Sequence, residues 1–417
     1  MSDSDDLESA LLLAAAESDS RNIQPEIEEK TEEFIEEVVE QKSSPKTLKR
    51  KTPETAEEPS TKLLHSNEGF AKVVAYHYNQ LEEKGQAERS KSRIVHLRNF
   101  HNWIKSMLIS EFISKIRGSK YNEPIRVLDL GCGKGGDLFK WQKANIKHLI
   151  CSDIAEVSLE QCKQRYTDMK HRNNRNRNGD VFSIEYIPAD CTKARLREKY
   201  NDPSLRLNLV SCQFVFHYSF ESLPQAERMF MNAAECLQPG GYFIGTMPDS
   251  NDIIARAKKN NTRTFGNDLF EVSLDFDTND PPLFGGKYHF QLDGVVDCPE
   301  FLVHFPTFVE LAKKYGLKLE RKEKFYDFYE RVKEDGMQLL TNTRSFEAYP
   351  PPEGSSLVGT AKDDYYHADE YLKSKGNVQI GTLSKSEWEA SSLYLTFVFV
   401  KVKPTSWKSD GTPTYDI

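Results

Sequence analysis

The chain has 417 residues, 38% of them hydrophobic and 29% charged, with a formal net charge of -8 at pH 7. That is enough apolar material for one large domain with a substantial core. No apolar run approaches the roughly 18 residues of a membrane span, and the short stretch Leu11–Ala16 follows Asp3, Asp5, Asp6 and Glu8, the wrong charge for a secretory leader.

The acidic balance is uneven. Residues 1–60 hold 17 acidic and 7 basic side chains, whereas residues 61–177 hold 22 basic and 12 acidic ones. A basic stretch of this size suits a polyanionic partner, although charge alone describes a solvated face equally well. Residues 1–62 are rich in Glu, Ser, Thr and Pro and poor in aromatics. Such a segment buries too little apolar surface to offset its chain entropy and is expected to be disordered, with a transient helix over Glu26–Val39. Within it, Pro45-Lys-Thr-Leu-Lys-Arg-Lys51 is a basic run of the nuclear-import type, which predicts a nuclear protein.

Order is expected from about Ala71. Ser92–Ile113 places Leu97, Phe100, Ile104, Leu108 and Phe112 at helical spacing, and a helix there delivers Asn102 and Lys105 just ahead of the first strand. From residue 125 short β-branched strands alternate with helices. The strands are expected over Ile125–Leu130, His148–Ser152, Val181–Ile187, Leu207–Phe214 and Tyr242–Thr246. The helices run from Asp137, over Glu156–Arg172 with Val157, Leu159 and Tyr166 among its apolar positions, and over Gln225–Leu237, stopping at Pro239-Gly-Gly241. The polar, basic stretch His171–Asp180 reads as a loop. This alternation predicts a parallel sheet with helices on both faces. Further on, Leu283–Leu292 and Glu300–Phe305 read as antiparallel additions, Thr307–Tyr315 as a helix, and Leu317–Arg321 and Ser392–Val402 as closing strands. Residues 333–380, with Pro350-Pro-Pro352, read as an inserted lobe, part helix and part loop.

Gly131, Gly133 and Gly136 fit G-x-G-x-x-G between a strand and a helix. Glycine lets such a turn bend sharply and approach a ligand. Dinucleotide-binding folds use the same turn, and Asp153, 20 residues after Gly133, fits the ribose of either cofactor class. Asp129, just before the turn, suits an ammonium and a sulfonium better than a pyrophosphate. Asp190, closing the third strand, suits an adenine amino group. Any one of these acids alone is an ordinary solvated turn residue; three at successive strand ends favour S-adenosylmethionine. There is no Asn/Asp-Pro-Pro-aromatic motif and no cysteine nucleophile loop, which argues against methylation of an exocyclic adenine amine or of cytosine C5. The seven cysteines, at 132, 151, 162, 191, 212, 236 and 298, are too scattered to support a zinc knuckle or a CxxC pair and read as reduced, buried thiols of an intracellular protein. No metal site is expected.

Four segments then carry a resemblance. Leu97-Arg-Asn-Phe-His-Asn-Trp-Ile-Lys105, Leu128-Asp-Leu-Gly-Cys-Gly-Lys-Gly-Gly-Asp137, Cys212-Gln-Phe-Val-Phe-His-Tyr-Ser-Phe-Glu221 and Pro239-Gly-Gly-Tyr-Phe-Ile-Gly245, in this order, resemble the eukaryotic mRNA cap guanine-N7 methyltransferases. The similarity spans about residues 71–403. It implies an α/β, Rossmann-like class I methyltransferase fold over residues 63–417, with a mostly parallel seven-stranded sheet. It implies S-adenosylmethionine held by Lys105, Gly131, Gly133, Asp153, Asp190, Gln213 and Tyr218, with Asp129 beneath the loop. It also implies a cap site of His101, Asn102, Lys134, Lys140, Arg165, His217, Glu300 and Tyr394. His101 departs from the family's Asn-Asn pattern. Capped pre-mRNA is the implied substrate, with a small activating subunit, the transcribing polymerase and import receptors as implied partners. Guanine N7 has an in-plane lone pair and no proton to lose, so the chemistry needs no general base. A small-molecule methyltransferase and a non-catalytic RNA-binding relative are the alternatives.

Overall fold

Leucine, isoleucine and valine runs build the centre of the molecule. In the computed structural model, which describes residues 69–80, 91–119, 123–175, 181–376 and 378–415, five strands pair in parallel. They are β1 (Arg126–Leu130), β2 (His148–Asp153), β3 (Ser183–Pro188), β4 (Leu207–Gln213) and β5 (Leu237–Pro248). Two antiparallel strands, β10 (Leu317–Lys324) and β13 (Tyr394–Lys401), complete a seven-stranded sheet in the order β10-β13-β5-β4-β1-β2-β3. This is the expected mostly parallel α/β architecture. Every residue of β4 is buried, as in a strand covered on both faces. The acidic segment 1–62, with Glu26–Val39 and the basic run, lies outside the described residues, as do residues 176–180 of the expected loop.

Alternate side chains feed two cores. Val127, Leu149, Leu209 and Ile244 pack on one face with α2 (Val95–Gly118). Leu128, Ile150, Val210 and Phe243 pack on the other with α5 (Leu223–Ala234) and α7 (Phe305–Lys314). All five apolar positions read from the α2 spacing are buried, and Trp103 joins them. Strand order reverses between β1 and β4, so a crevice opens over their carboxyl ends, where open α/β sheets bind ligands.

Several boundaries differ from expectation for local reasons. α5 ends at Ala234, and Pro239-Gly-Gly241 falls inside β5, at a shift of register against β4. A Cβ at Gly241 would sit 2.8 Å from the Asn208 carbonyl oxygen, so glycine is needed for the strands to approach. After α1 (Ala71–Gln80) and α3 (Leu138–Lys143), the next helix α4 (Glu156–Arg175) runs three residues past its expected end, and its apolar Val157 is exposed. The strands expected near residues 283–305 do not extend the central sheet. Lys287–Leu292 and Val296–Phe301, with Thr264–Gly266 and Phe270–Leu274, form a separate antiparallel sheet β6-β7-β8-β9, the labels following chain order. Phe305 opens α7 instead of ending a strand.

The expected insertion also begins later. Residues from 333 belong to α8 (Phe325–Asn342), which packs on α2 through Gly336, whose carbonyl accepts from Trp103 Nε1 at 2.9 Å. The separate lobe has its own small core of Tyr365, Ala368, Tyr371 and Ile380.

Candidate active site

The turn after β1 is shaped by glycine. Gly131 has φ +72, and a Cβ there would lie 2.4 Å from a Val215 methyl group; Gly133 has φ +50 and open space on its Cβ side. The Gly131 and Cys132 amides donate to the Ser152 carbonyl at 2.8 and 3.1 Å, which ties the turn to β2. Asp153 then pins it: one carboxylate oxygen accepts from Gly133 N and the other from Ala155 N, both at 2.8 Å. Burial raises the Asp153 carboxyl despite these bonds. Gly136, read as the third motif glycine, is exposed. Gly135 takes the packing role, since a Cβ there would meet Cys162 Sγ at 2.7 Å.

A cavity of about 220 Å³ opens above the turn. It is lined by Gly131, Gly133, Asp153, Asp190, Gln213 and Tyr218, six of the eight expected donor-site residues. Asp190 caps its own turn by accepting from the Thr192 amide at 2.9 Å and hydroxyl at 2.6 Å. Gln213 is oriented by Ser211, to which its Nε2 donates at 3.0 Å, and by the Thr246 hydroxyl, which donates to its Oε1 at 3.2 Å.

One wall was not legible in advance. Phe70, Ala71, Val74 and Tyr78, on and just before α1, close the cavity. The Phe70 amide donates to Glu221 at 3.1 Å, Asn79 accepts from the Val157 amide at 3.1 Å, and the Tyr78 and Tyr218 hydroxyls are 3.2 Å apart. Val74 and Tyr78 lie one turn apart, a spacing that marks one helix face but not what that face covers.

Lys105 and Asp129 stand behind the turn and do not line the cavity. Lys105 and Lys140 both pair with Asp137, at 2.9 and 2.7 Å. Burial opposes the charge of Asp137, but the two ammonium groups outweigh it and hold its carboxyl below the usual range. Burial, with Asp137 nearby, pushes Asp129 up to about 8, while Trp141 Nε1 donates to it at 3.2 Å. Lys140 is thus neither a surface lysine nor a group held out toward a ligand. Its side chain is only 13% exposed. These residues brace the turn.

Beyond Tyr218, four of the eight residues expected in the cap site, His217, Glu300, Tyr394 and His101, come together. His217 Nε2 lies 3.3 Å from a Glu300 carboxylate oxygen, and the other oxygen accepts from the Tyr288 hydroxyl at 2.7 Å. Tyr288 and Glu300 are directly opposed on β8 and β9. His217, Glu300 and Tyr288 are all buried, and neither His217 ring nitrogen has a hydrogen bond of good geometry among the described residues. Tyr394 and His101 meet around Phe214, with ring centroids 5.1 and 5.5 Å from it. Burial lowers His101 to about 3, so its imidazole is neutral; its Nε2 lies 3.2 Å from the Ser391 hydroxyl. Asn102, the next residue, is exposed. Lys134, in the turn, and Arg165, on α4, are partly exposed and outside the cavity.

Phe214 itself escaped the sequence reading. It has φ +61, a left-handed conformation that costs a bulky L-residue about 1–2 kcal/mol. Its amide is held by the Thr246 carbonyl at 2.9 Å. It lines the cavity and also packs on His101 and Tyr394, so it separates the cavity from that aromatic cluster. Beneath the turn, three scattered cysteines converge: the sulfurs of Cys132, Cys151 and Cys162 lie within 4.8 Å of one another. All seven cysteines are free and buried.

Residues 61–402 match the mRNA (guanine-N(7))-methyltransferase domain family. The mRNA cap guanine-N(7) methyltransferase of Drosophila melanogaster is 50% identical over 347 residues, covering 82% of this chain and 80% of that one. The protein of the same name from Caenorhabditis elegans is 38% identical over 350 residues, covering 82% and 89%. That of Schizosaccharomyces pombe is 36% identical over 345 residues, covering 81% and 84%. The match takes in the glycine turn, the α1 wall and the His217–Glu300 contact alike, and the chain belongs to the mRNA (guanine-N(7))-methyltransferase family.

Proposed function

We infer that the protein transfers a methyl group from S-adenosylmethionine to N7 of the 5′ guanosine cap of mRNA, converting GpppN-RNA to m7GpppN-RNA. The observation that carries this reading is the junction at His217 and Tyr218. Tyr218 lines the cavity above the glycine turn, and its neighbour His217 meets Glu300 on the other side. A donor and a purine held on the two sides of this junction are neighbours.

The residues present fit the donor. Each Asp153 oxygen accepts one backbone amide, which leaves a lone pair on each for a ribose hydroxyl. Asp190 accepts the adenine amino group, and the open space over Gly133 admits the ligand close to the backbone. S-Adenosylmethionine, when bound, supplies an electrophilic methyl group on a sulfonium. The remaining work belongs to positioning and exclusion of water. Holding two reactants in line is worth about 7–11 kcal/mol of barrier, and guanine N7 has no proton for a base to remove. Glu300 accepts from guanine N1–H and N2–H, which adenine cannot offer. His217 and Tyr394 bound the base, and Lys134 and Arg165 offset the triphosphate charge.

The acceptor in the cell is capped pre-mRNA. The basic run Pro45–Lys51 supports a nuclear location reached through import receptors, and a small activating subunit and the transcribing polymerase complete the proposed partners. Incubation with labelled S-adenosylmethionine and GpppG-RNA, followed by nuclease digestion, is expected to release labelled m7GpppG. Label in internal nucleotides, or none in RNA, would overturn the assignment.

A further inference from the structure

α3 leaves one large apolar side chain in solvent. Its neighbours Leu138 and Trp141 are buried, whereas Phe139 is 52% exposed. The α3 segment meets α4 at separate points along both. Gly135, just before α3, abuts Cys162, and farther along Gln142 Nε2 donates to Asn173 at 3.0 Å. Phe139 lies between these two contacts in sequence, as Arg165 and Arg172 do on α4. Those arginines are seven residues apart in a continuous helix, so they share a face about 10 Å apart along the axis. The Arg172 guanidinium sits 5.6 Å from the Phe139 ring centroid. Lys143, one turn beyond Phe139, and Arg175, at the end of α4, are exposed as well. Asp168, the acid between the arginines, accepts from Gln164 at 3.0 Å.

A lone exposed phenylalanine is ordinary. One placed under a guanidinium and bordered by cations has the chemistry of a single-strand nucleic-acid platform, where a ring stacks a base and the cations take its phosphates. It also follows the glycine turn directly in the chain, six residues beyond Gly133, which lines the cofactor cavity. An enzyme whose acceptor is the first residue of an RNA must carry the following nucleotides across its surface. We propose that Phe139 stacks a base of the RNA just downstream of the cap, with Arg172 and Lys143 contacting the adjoining phosphates. The proposal rests on the cap-acceptor reading and adds the route of the chain that follows the cap.

The test compares two acceptors, GTP and a short Gppp-capped RNA, in steady-state methyl transfer. Phe139→Ala should raise KM for the capped RNA about 5- to 100-fold while leaving KM for GTP within about twofold, since base stacking is worth that much and GTP has no downstream base. Phe139→Trp should keep the wild-type KM for capped RNA. Arg172→Ala should weaken capped-RNA use and flatten its salt dependence. An unchanged capped-RNA KM in Phe139→Ala would overturn the proposal. So would an equal rise for both acceptors, which would make Phe139 a packing partner of α4 only. Wild-type protein that methylates neither acceptor would instead bring down the cap-acceptor reading itself.

Discussion

His217, in the short 3-10 helix Phe216–Glu221 that follows β4, meets Glu300 on β9, with Nε2 3.3 Å from a carboxylate oxygen and both side chains buried. Glu300 reaches this point because it pairs with Tyr288 on a small antiparallel sheet whose strand β9 packs against that 3-10 helix. Leaving a buried group without its partner costs about 1–3 kcal/mol. Glu300→Gln keeps the shape but presents a donor where guanine also donates. It should raise KM for a GpppG acceptor at least about tenfold while leaving calorimetric S-adenosylmethionine affinity near wild type. Equal losses of both would count against Glu300 as the guanine reader.

Asp153 both accepts two backbone amides, one on each oxygen, and lines the cavity. Asp153→Asn retains one acceptor oxygen and loses the charge. Hydrogen bonds to charged groups contribute about 1.5–3 kcal/mol, so cofactor affinity should fall roughly 10- to 100-fold. Calorimetric binding at wild-type strength would refute the ribose role.

Asp129 predicts a pH dependence. Its folded carboxyl is pushed up to about 8, against 3.8 as a free group, mainly by burial. Between those values the unfolded chain has lost a proton that the folded protein keeps. The folded state of the unliganded protein is therefore favoured at the acid end, and this contribution is lost as pH rises from about 4 to about 8. Asp129→Asn mimics the neutral acid and should flatten the slope of unfolding free energy across that window. Denaturation curves with the same slope as wild type would show that Asp129 titrates normally.

The α1 wall is a fourth target. Val74 is buried and lines the cavity beside Tyr78. Val74→Asp places a carboxylate in an apolar wall and should weaken cofactor binding about tenfold or more, since burying an unpaired charge is strongly unfavourable. The two central cores, which lack Val74, should keep cooperative thermal unfolding. Undiminished cofactor binding would show that α1 can lift away without consequence.

The strand and helix alternation, the buried stripe of α2 and the acids at the strand ends were legible in the sequence. Each depends on periodicity or on neighbours within one strand-turn-helix unit, and such local rules hold wherever the unit is placed. Leu97, Phe100, Ile104, Leu108 and Phe112 are buried because a helix puts those spacings on one side. Resemblance brought in what periodicity could not, above all Glu300 and Tyr394. Neither route placed Lys105 and Lys140 on Asp137, put the left-handed Phe214 between the cavity and the aromatic cluster, or made α1 a wall. The same holds for Pro239-Gly-Gly241, which reads as a helix stop yet lies in a strand because Asn208 approaches it closely.

Amino-acid order by itself determined the layered α/β fold and the glycine turn that carries the donor. Only the tertiary structure decided which charged groups face the ligand and which brace the turn from behind. The reason is physical: apolar periodicity acts between neighbours along one helix or strand, whereas desolvation and pairing of a charge depend on every element that packs against it. Asp129 and Asp153 stand alike at the ends of adjacent strands, and the packing of Trp141 over one and the opening of the cavity beside the other divide their roles.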